Sequence, residues 1–196
     1  MKTLITEFIS LDGVVQAPGG ETEDTDGGFK HGGWSMKYFD PVVMGGTFAE
    51  IAAKSDAILQ GRRTYQASAA AWPSRSGDPF TDWINSVQKF VVSDTLTEKD
   101  AIWDPTTIIR GADFLKTVSE LRARPGGYIY VYGSATMVRS LLAADLVDEL
   151  LLTIEPIVLG GGKTIFAENG KAIPFALEST AKASTGAQVC RYVRAR

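Results

Sequence analysis

Ala57-Ile58-Leu59-Gln60-Gly61-Arg62-Arg63-Thr64-Tyr65 runs from a short apolar segment into a glycine, two cations and a hydroxyl. The apolar half has the length and boundaries of a buried strand, and a helix is expected to open at Arg62. Tyr130-Val131-Tyr132-Gly133-Ser134-Ala135-Thr136-Met137 repeats the arrangement, with a glycine that allows close backbone approach and a hydroxyl beside it. Each junction offers free backbone N–H groups and a favourable helix dipole, and the first adds positive charge. Two such junctions can hold one pyrophosphate between them. Ordinary helix-entry turns account equally well for Gly61 and Gly133. Neither junction is the G-x-G-x-x-G fingerprint of a dinucleotide-binding Rossmann unit.

Outward from these junctions the chain alternates. Thr3 to Leu11 is rich in β-branched and aromatic residues and stops at Asp12-Gly13, as a central strand would. Pro18 to Gly33 is dominated by Gly, Thr, Asp and Glu, which predicts a long mobile loop. Thr47 to Lys54 has helical spacing, Phe80 to Val87 reads as a short helix, and Lys89–Ser93 and Thr106–Arg110 read as strands. Phe114, Leu115, Val118 and Leu121 line one helical face; Tyr128–Tyr132 is a buried strand, and Ser134 is expected to cap a helix running to Ala143. Val147–Val158 reads as one long strand, followed by strands at Phe175–Ala183 and Gln188–Arg194. Strand and helix alternate first and strands alone follow. The expected fold class is therefore α/β, with a mainly parallel central sheet, helices on both faces and an antiparallel C-terminal hairpin, in one domain spanning residues 1–196.

Composition removes several classes of function. The 196 residues are 44% apolar and 22% charged, enough for one well-buried core. Cys190 is the only cysteine and His31 the only histidine, which argues against a disulfide framework, a multi-cysteine metal site and His-dependent hydrolase triads. No metal is expected. A net charge of -3 gives no electrostatic case for nucleic acid, and the lack of a long apolar run gives none for a membrane span. No signal-peptide pattern leads the chain, so a cytoplasmic location is expected. Arg191, Arg194 and Arg196 read as a solvated cationic strand face. Leu159-Gly160-Gly161-Gly162-Lys163-Thr164 mimics the tail of a phosphate-binding P-loop, but the first glycine of that motif would fall at Ile157.

Four motifs in order carry a family resemblance: Ser10-Leu11-Asp12-Gly13, Gly61-Arg62-Arg63-Thr64-Tyr65, Tyr132-Gly133-Ser134, and Leu146 to Leu150 followed by Pro156-Ile157-Val158-Leu159-Gly160-Gly161-Gly162. The chain resembles the dihydrofolate reductase fold, most closely the reductase (C-terminal) domain of bifunctional riboflavin biosynthesis deaminase/reductases and their stand-alone relatives. The resemblance covers nearly the whole chain. It implies an oxidoreductase with NADPH, or NADH, as cofactor. Gly61, Arg62, Arg63 and Thr64 would then face the cofactor's phosphates, with Gly133, Ser134, Ala135 and Thr136 on the other side. Ser93, Asp94 and Arg110 would lie at the adenosine end, and Val14 and Val15 would offer backbone contacts to the nicotinamide. Thr153 would point a hydroxyl into the substrate pocket. Dihydrofolate reductases also carry a carboxylate on the helix before the Gly-Arg strand. Here Gly45 stands near that place, with Asp40 and Glu50 on either side, which argues against dihydrofolate as substrate. The acidic stretch Glu21 to Asp26 argues against a ribose-phosphate substrate.

Asp12 is the expected catalytic acid, beside the nicotinamide, although an Asp-Gly turn explains it equally well. Glu155, at a strand end, and Trp34 and Phe39, after the acidic loop, are the further substrate-site candidates. The resulting expectation is hydride transfer to a C=N or C=O bond of a small, flat, pterin- or pyrimidine-like heterocycle by a homodimeric enzyme. A cofactor- or ligand-binding module without efficient catalysis is the competing reading.

Overall fold

A computed structural model describes residues 1–166 and 171–195. Lys2–Ser10 forms β1, buried along almost its whole length. Val43–Ala53 (α1) leads into Ser55–Gly61 (β2), Arg62–Ala71 (α2), Pro79–Ser86 (α3), Gln88–Val92 (β3) and Thr106–Ile109 (β4). Phe114–Arg122 (α4), Tyr128–Tyr132 (β5), Ala135–Ala143 (α5) and Glu149–Glu155 (β6) complete the alternating part, and Phe175–Lys182 (β7) with Gln188–Arg194 (β8) closes the fold.

All eight strands join one sheet in the order β4-β3-β2-β5-β1-β6-β8-β7. The pairings from β4 across to β6 are parallel, while β6–β8 and β8–β7 are antiparallel. The chain steps outward from β2 to β4 and then returns to insert β5 between β2 and β1. That return changes the covered face. Met44, Ile51, Tyr65 and Ile84 from α1, α2 and α3 pack with Leu4, Ile58 and Tyr130 on one side. Phe114, Val118, Met137 and Leu141 from α4 and α5 pack with Ile5, Ile9 and Val131 on the other. β2 and β5, although distant in sequence, thus lie side by side and deliver the two glycine junctions to the same end of the sheet, where open α/β sheets gather ligands.

Local departures from the sequence reading have physical causes. The strand expected over Val147–Val158 is confined to Glu149–Glu155, because Pro156 lacks a ladder N–H and the Ile157 N–H turns back to the Glu155 carbonyl at 2.7 Å. Leu115 is exposed, unlike Phe114, Val118 and Leu121. Ser134 occupies the N-cap position of α5 without capping it. The Pro18–Gly33 loop is held at several points: Gln16 Nε2 donates to the carbonyls of Asp24 and Asp26 at 3.1 and 3.0 Å, and the Trp34 indole N–H donates to the Gln16 carbonyl at 2.8 Å. Arg196 lies outside the described residues. Among the described residues no helix is long and apolar enough to cross a membrane.

Two glycines test this packing in opposite directions. A Cβ on Gly127 would meet the Lys54 carbonyl oxygen at 2.0 Å, whereas one on Gly45, within α1, meets nothing within 4 Å. Gly127→Ala is expected to cost about 1–3 kcal/mol, because backbone must move, and Gly45→Ala to add about 0.5–1 kcal/mol. Thermal melts of the two variants against wild type should show shifts of opposite sign.

Candidate cofactor and substrate site

Gly61 ends β2 and Gly133 ends β5, and a net of side-chain hydrogen bonds ties the two junctions together. Ser134 Oγ accepts from the Gly61 N–H at 2.9 Å and lies 3.0 Å from Thr64 Oγ1, which in turn donates to the Gly133 carbonyl at 2.9 Å. Ser134 therefore spends its hydroxyl on the neighbouring junction. It does not cap α5, and α2 has no side-chain cap because its N-cap residue is Gly61, so the first turns of both helices lie uncapped at the same end of the sheet. Gly133 has φ +68°, and a Cβ there would meet Thr64 Cγ2 at 2.9 Å. Backbone must stay bare at this point. Arg62, on the first turn of α2, donates to Gln66 at 3.1 Å, while Arg63 reaches across to Asp26 of the acidic loop. These features fit the phosphates of a dinucleotide: two uncapped helix N-termini, a bare glycine turn and two arginines.

On the α1 face of the same strand ends lies a buried carboxyl. Glu155 is fully shielded from solvent; its Oε1 accepts from Ser35 Oγ at 2.7 Å, and its Oε2 has no partner. Burial pushes this carboxyl up to about 7, against the smaller effects of Ser35 and Lys37. Thr153, two residues earlier on β6, is buried on the same face and in register with Phe8 of β1. Phe8 meets Phe48 of α1 edge-on with centroids 6.0 Å apart, which continues an apolar wall along this face. Trp34 is buried and pinned by its indole N–H to the loop backbone, whereas Phe39 is exposed. Neither of the acids flanking Gly45 faces this region. Asp40 accepts from the Val42 and Val43 amides and from Ser184, and Glu50 pairs with Lys54 and Arg191.

Asp12 is placed differently from the expected acid. Its carboxylate accepts from Ser10 Oγ at 2.6 Å, from the Leu159 N–H at 3.1 Å and from the Gly160 N–H at 2.8 Å. The Ser10 hydroxyl and then the Leu159 amide hold it down to about 2, so it is ionised at neutral pH and carries no proton to donate. It serves as a clamp between the Asp12-Gly13 turn and the glycine loop. Val14 and Val15 have their N–H groups taken by Ser10 Oγ and the Lys163 carbonyl, which leaves neither amide for a ligand. At the adenosine end, Ser93 Oγ accepts from the Thr95 and Leu96 amides, and Asp94 accepts from the Gly111 N–H at 2.8 Å. Arg110 donates to the carbonyls of Ser93 and Leu96. These three residues thus build the turn after β3. The Gly160–Gly162 loop is followed by no helix in the described element order, and Lys163 is held by Asp24 and Asp26 at 2.5 and 2.8 Å, unlike a P-loop lysine.

Sequence reasoning missed Glu7. It lies in the middle of β1 with only 5% of its surface exposed, and its Oε1 has no partner. The signal was present: a carboxylate inside a strand read as central has to be buried.

A parallel sheet whose returning strand brings two uncapped helix N-termini to one end, with a buried acid on the face covered by α1, α2 and α3, is the α/β architecture that carries this site. The chain belongs to the RibD C-terminal domain family, which it matches over residues 2–189. It is 30% identical over 183 residues to the uncharacterized protein YyaP of Bacillus subtilis (strain 168), covering 91% of this chain and 87% of that one. Its fold is similar to a putative riboflavin biosynthesis protein from Shewanella sp. PV-4, with a TM-score of 0.75 and 22% identity over the full length of both. It is also similar to dihydrofolate reductase from Enterococcus faecalis complexed with NADP(H), with a TM-score of 0.62, 12% identity and coverage of 100% of this chain and 97% of that one.

The clamp role of Asp12 has a pH signature. Its value is depressed in the folded state, so its contribution is present above the unfolded value of about 3.9 and is lost as pH falls toward 2. Asp12→Asn should therefore melt below wild type at pH 7, and acid titration of both proteins should narrow the gap between pH 4 and 2.

Proposed function

We propose that the chain is an NADPH-dependent reductase that transfers hydride to a C=N or C=O bond of a small, flat heterocycle of the pterin or pyrimidine kind. The observation that carries this is the pairing of the α2 and α5 N-termini, α2 uncapped because its N-cap residue is Gly61 and α5 because the Ser134 hydroxyl turns to the Gly61 amide. Gly61, Arg62, Arg63 and Thr64 would hold the phosphates from one side, and Gly133, Ser134, Ala135 and Thr136 from the other. The bound reduced nicotinamide supplies the hydride. The chain's own residues orient, shield and protonate. In this reading Glu155 replaces Asp12 as proton donor: it is buried, its Oε2 is unpartnered, and its value near 7 keeps a substantial fraction protonated at neutral pH. Thr153 lines the same face, and the loop carrying Trp34 and Ser35 shields it from water. Preference for NADPH over NADH rests on Arg63, since Asp94 and Arg110 both bond within the turn after β3. β7, an edge strand with Leu177 exposed, suits pairing with a second copy of the chain.

NADPH at about 100 times its Kd should add about 2.7 kcal/mol of stability, read as a rise of several degrees in Tm. Replacing Arg62 and Arg63 together with alanine should weaken NADPH binding by about 2–4 kcal/mol by titration calorimetry. Unchanged affinity in the double variant would place the phosphates elsewhere.

A donor must be protonated, so turnover assigned to Glu155 declines as pH rises through about 7. Glu155→Gln is expected to lower kcat by about 10²–10⁴-fold and to remove that decline, while leaving NADPH binding intact. A pH–rate profile of wild-type shape in the variant would assign the proton to another group.

A further inference from the structure

Glu7 stands beneath the phosphate cradle with no role assigned to it. Thr6 is in register with Tyr132, so Glu7 lies level with Gly133, where β5 turns into α5. On its own strand it falls between Ile5 and Ile9, on the face packed by α4 and α5, and it is in register with Leu152 of β6. Its Oε1 has no partner, and the nearby Gly133 backbone amide acts on its carboxyl in favour of the charged form. Gly133 is held at its carbonyl by Thr64.

We infer that Glu7 is a proton-coupled positioning residue: an anionic phosphate ester settling on the Gly133–Ser134 turn drives uptake of one proton by the Glu7 carboxyl, and the neutral carboxyl then holds the turn without repelling the anion. The inference rests on the cofactor reading above. Its warrant is the absence of compensating charge. The groups that act on Glu7 are the Gly133 amide and Glu23 of the acidic loop, which adds a second negative charge; the Tyr130 phenol lies on the opposite face, bonded to Thr6. Among the described residues no cation acts on it. Burial, the largest influence, and Glu23 together push the carboxyl up to about 8 against the Gly133 amide, so the protein is divided between charged and neutral forms near that pH. Added negative charge at the turn shifts the balance further toward the neutral form.

The sign follows. Affinity is full below about pH 8 and falls as pH rises through it, by about tenfold between pH 7 and 9 when one proton is required. Titration calorimetry of wild type with NADPH, whose phosphates are already ionised, in two buffers of different ionisation enthalpy at pH 8 should show about half a proton taken up per ligand; inorganic pyrophosphate, which itself titrates in this range, serves only to report binding at the turn. Glu7→Gln, which mimics the neutral carboxyl, should bind NADPH at pH 7 within about twofold of wild type, lose the tenfold decline by pH 9, and show no buffer dependence. The wild-type buffer comparison stands alone should the variant fold poorly. Binding without proton uptake, or a Glu7→Gln variant that keeps the wild-type pH dependence, overturns the role of Glu7 and leaves the cofactor reading intact. Failure of both NADPH and pyrophosphate to bind wild type between pH 7 and 9 overturns that reading and the inference together.

Discussion

Thr64 Oγ1 donates to the Gly133 carbonyl at 2.9 Å, and the rest of the site is organised around that contact. It joins the first turn of α2 to the last residue of the β5 junction across two parallel strands that are neighbours only because the chain returned to the middle of its own sheet. A left-handed glycine is required to make the turn, and a side chain there would strike Thr64. Ser134 then falls beside the Gly61 amide and is drawn away from its own helix. A hydroxyl that would ordinarily cap α5 instead binds the two junctions, and α2 starts at Gly61, which has no side chain to cap it, so neither helix N-terminus has a side-chain cap. Topology and local chemistry are therefore inseparable here: without the return of β5, the same two sequence motifs would lie on separate parts of the sheet.

Buried carboxylates divide the molecule into frame and site. Glu149 is buried, but Lys2, Tyr128 and Arg191 surround it, and Asp148 takes both nitrogens of the Arg122 fork together with the Thr3 amide. Those charges are compensated, and they fasten the opposite ends of β1 and β6. Glu7 and Glu155 are also buried, and among the described residues neither is ion-paired, Lys37 acting only as a minor influence on Glu155; each leaves one oxygen without a partner. An uncompensated buried carboxyl relieves its desolvation cost by staying protonated, which is a state with chemical uses. Both lie toward the strand ends that carry the glycine junctions, on opposite faces of the sheet.

The fold was legible because its signals are local. Gln188–Arg194 and Tyr128–Tyr132 have the bounds expected from β-branched runs, and the glycines at 61 and 133 mark the ends of their strands as expected. Elements were misjudged where a long-range partner decides. Asp12-Gly13 reads correctly as a turn, but the amides that claim the carboxylate belong to Leu159 and Gly160, some 150 positions away in the chain. Ser134 reads as a cap because capping is a local rule, and the Gly61 amide that overrides it is invisible until the sheet order is known. Glu7 was legible in principle. Its position inside an apolar run implied burial, yet only the sheet order places it level with Gly133.

The acidic loop qualifies how positive charge works in this site. Asp24 and Asp26 meet Arg63 and Lys163, and Gln16 fixes the loop backbone beneath them. Arg63 is 64% exposed, so its ion pair with Asp26 is screened by solvent and a stronger anion can displace it. A phosphate that takes Arg63 also gains the bare amides of α2 and α5, which no loop carboxylate reaches in the ligand-free fold. The arginine thus adds attraction that the loop already half satisfies, whereas the amides have no competing side-chain cap. In the proposed reading, discrimination in favour of a phosphate would reside in the backbone, in the two glycines that keep it bare and the serine that does not cap α5.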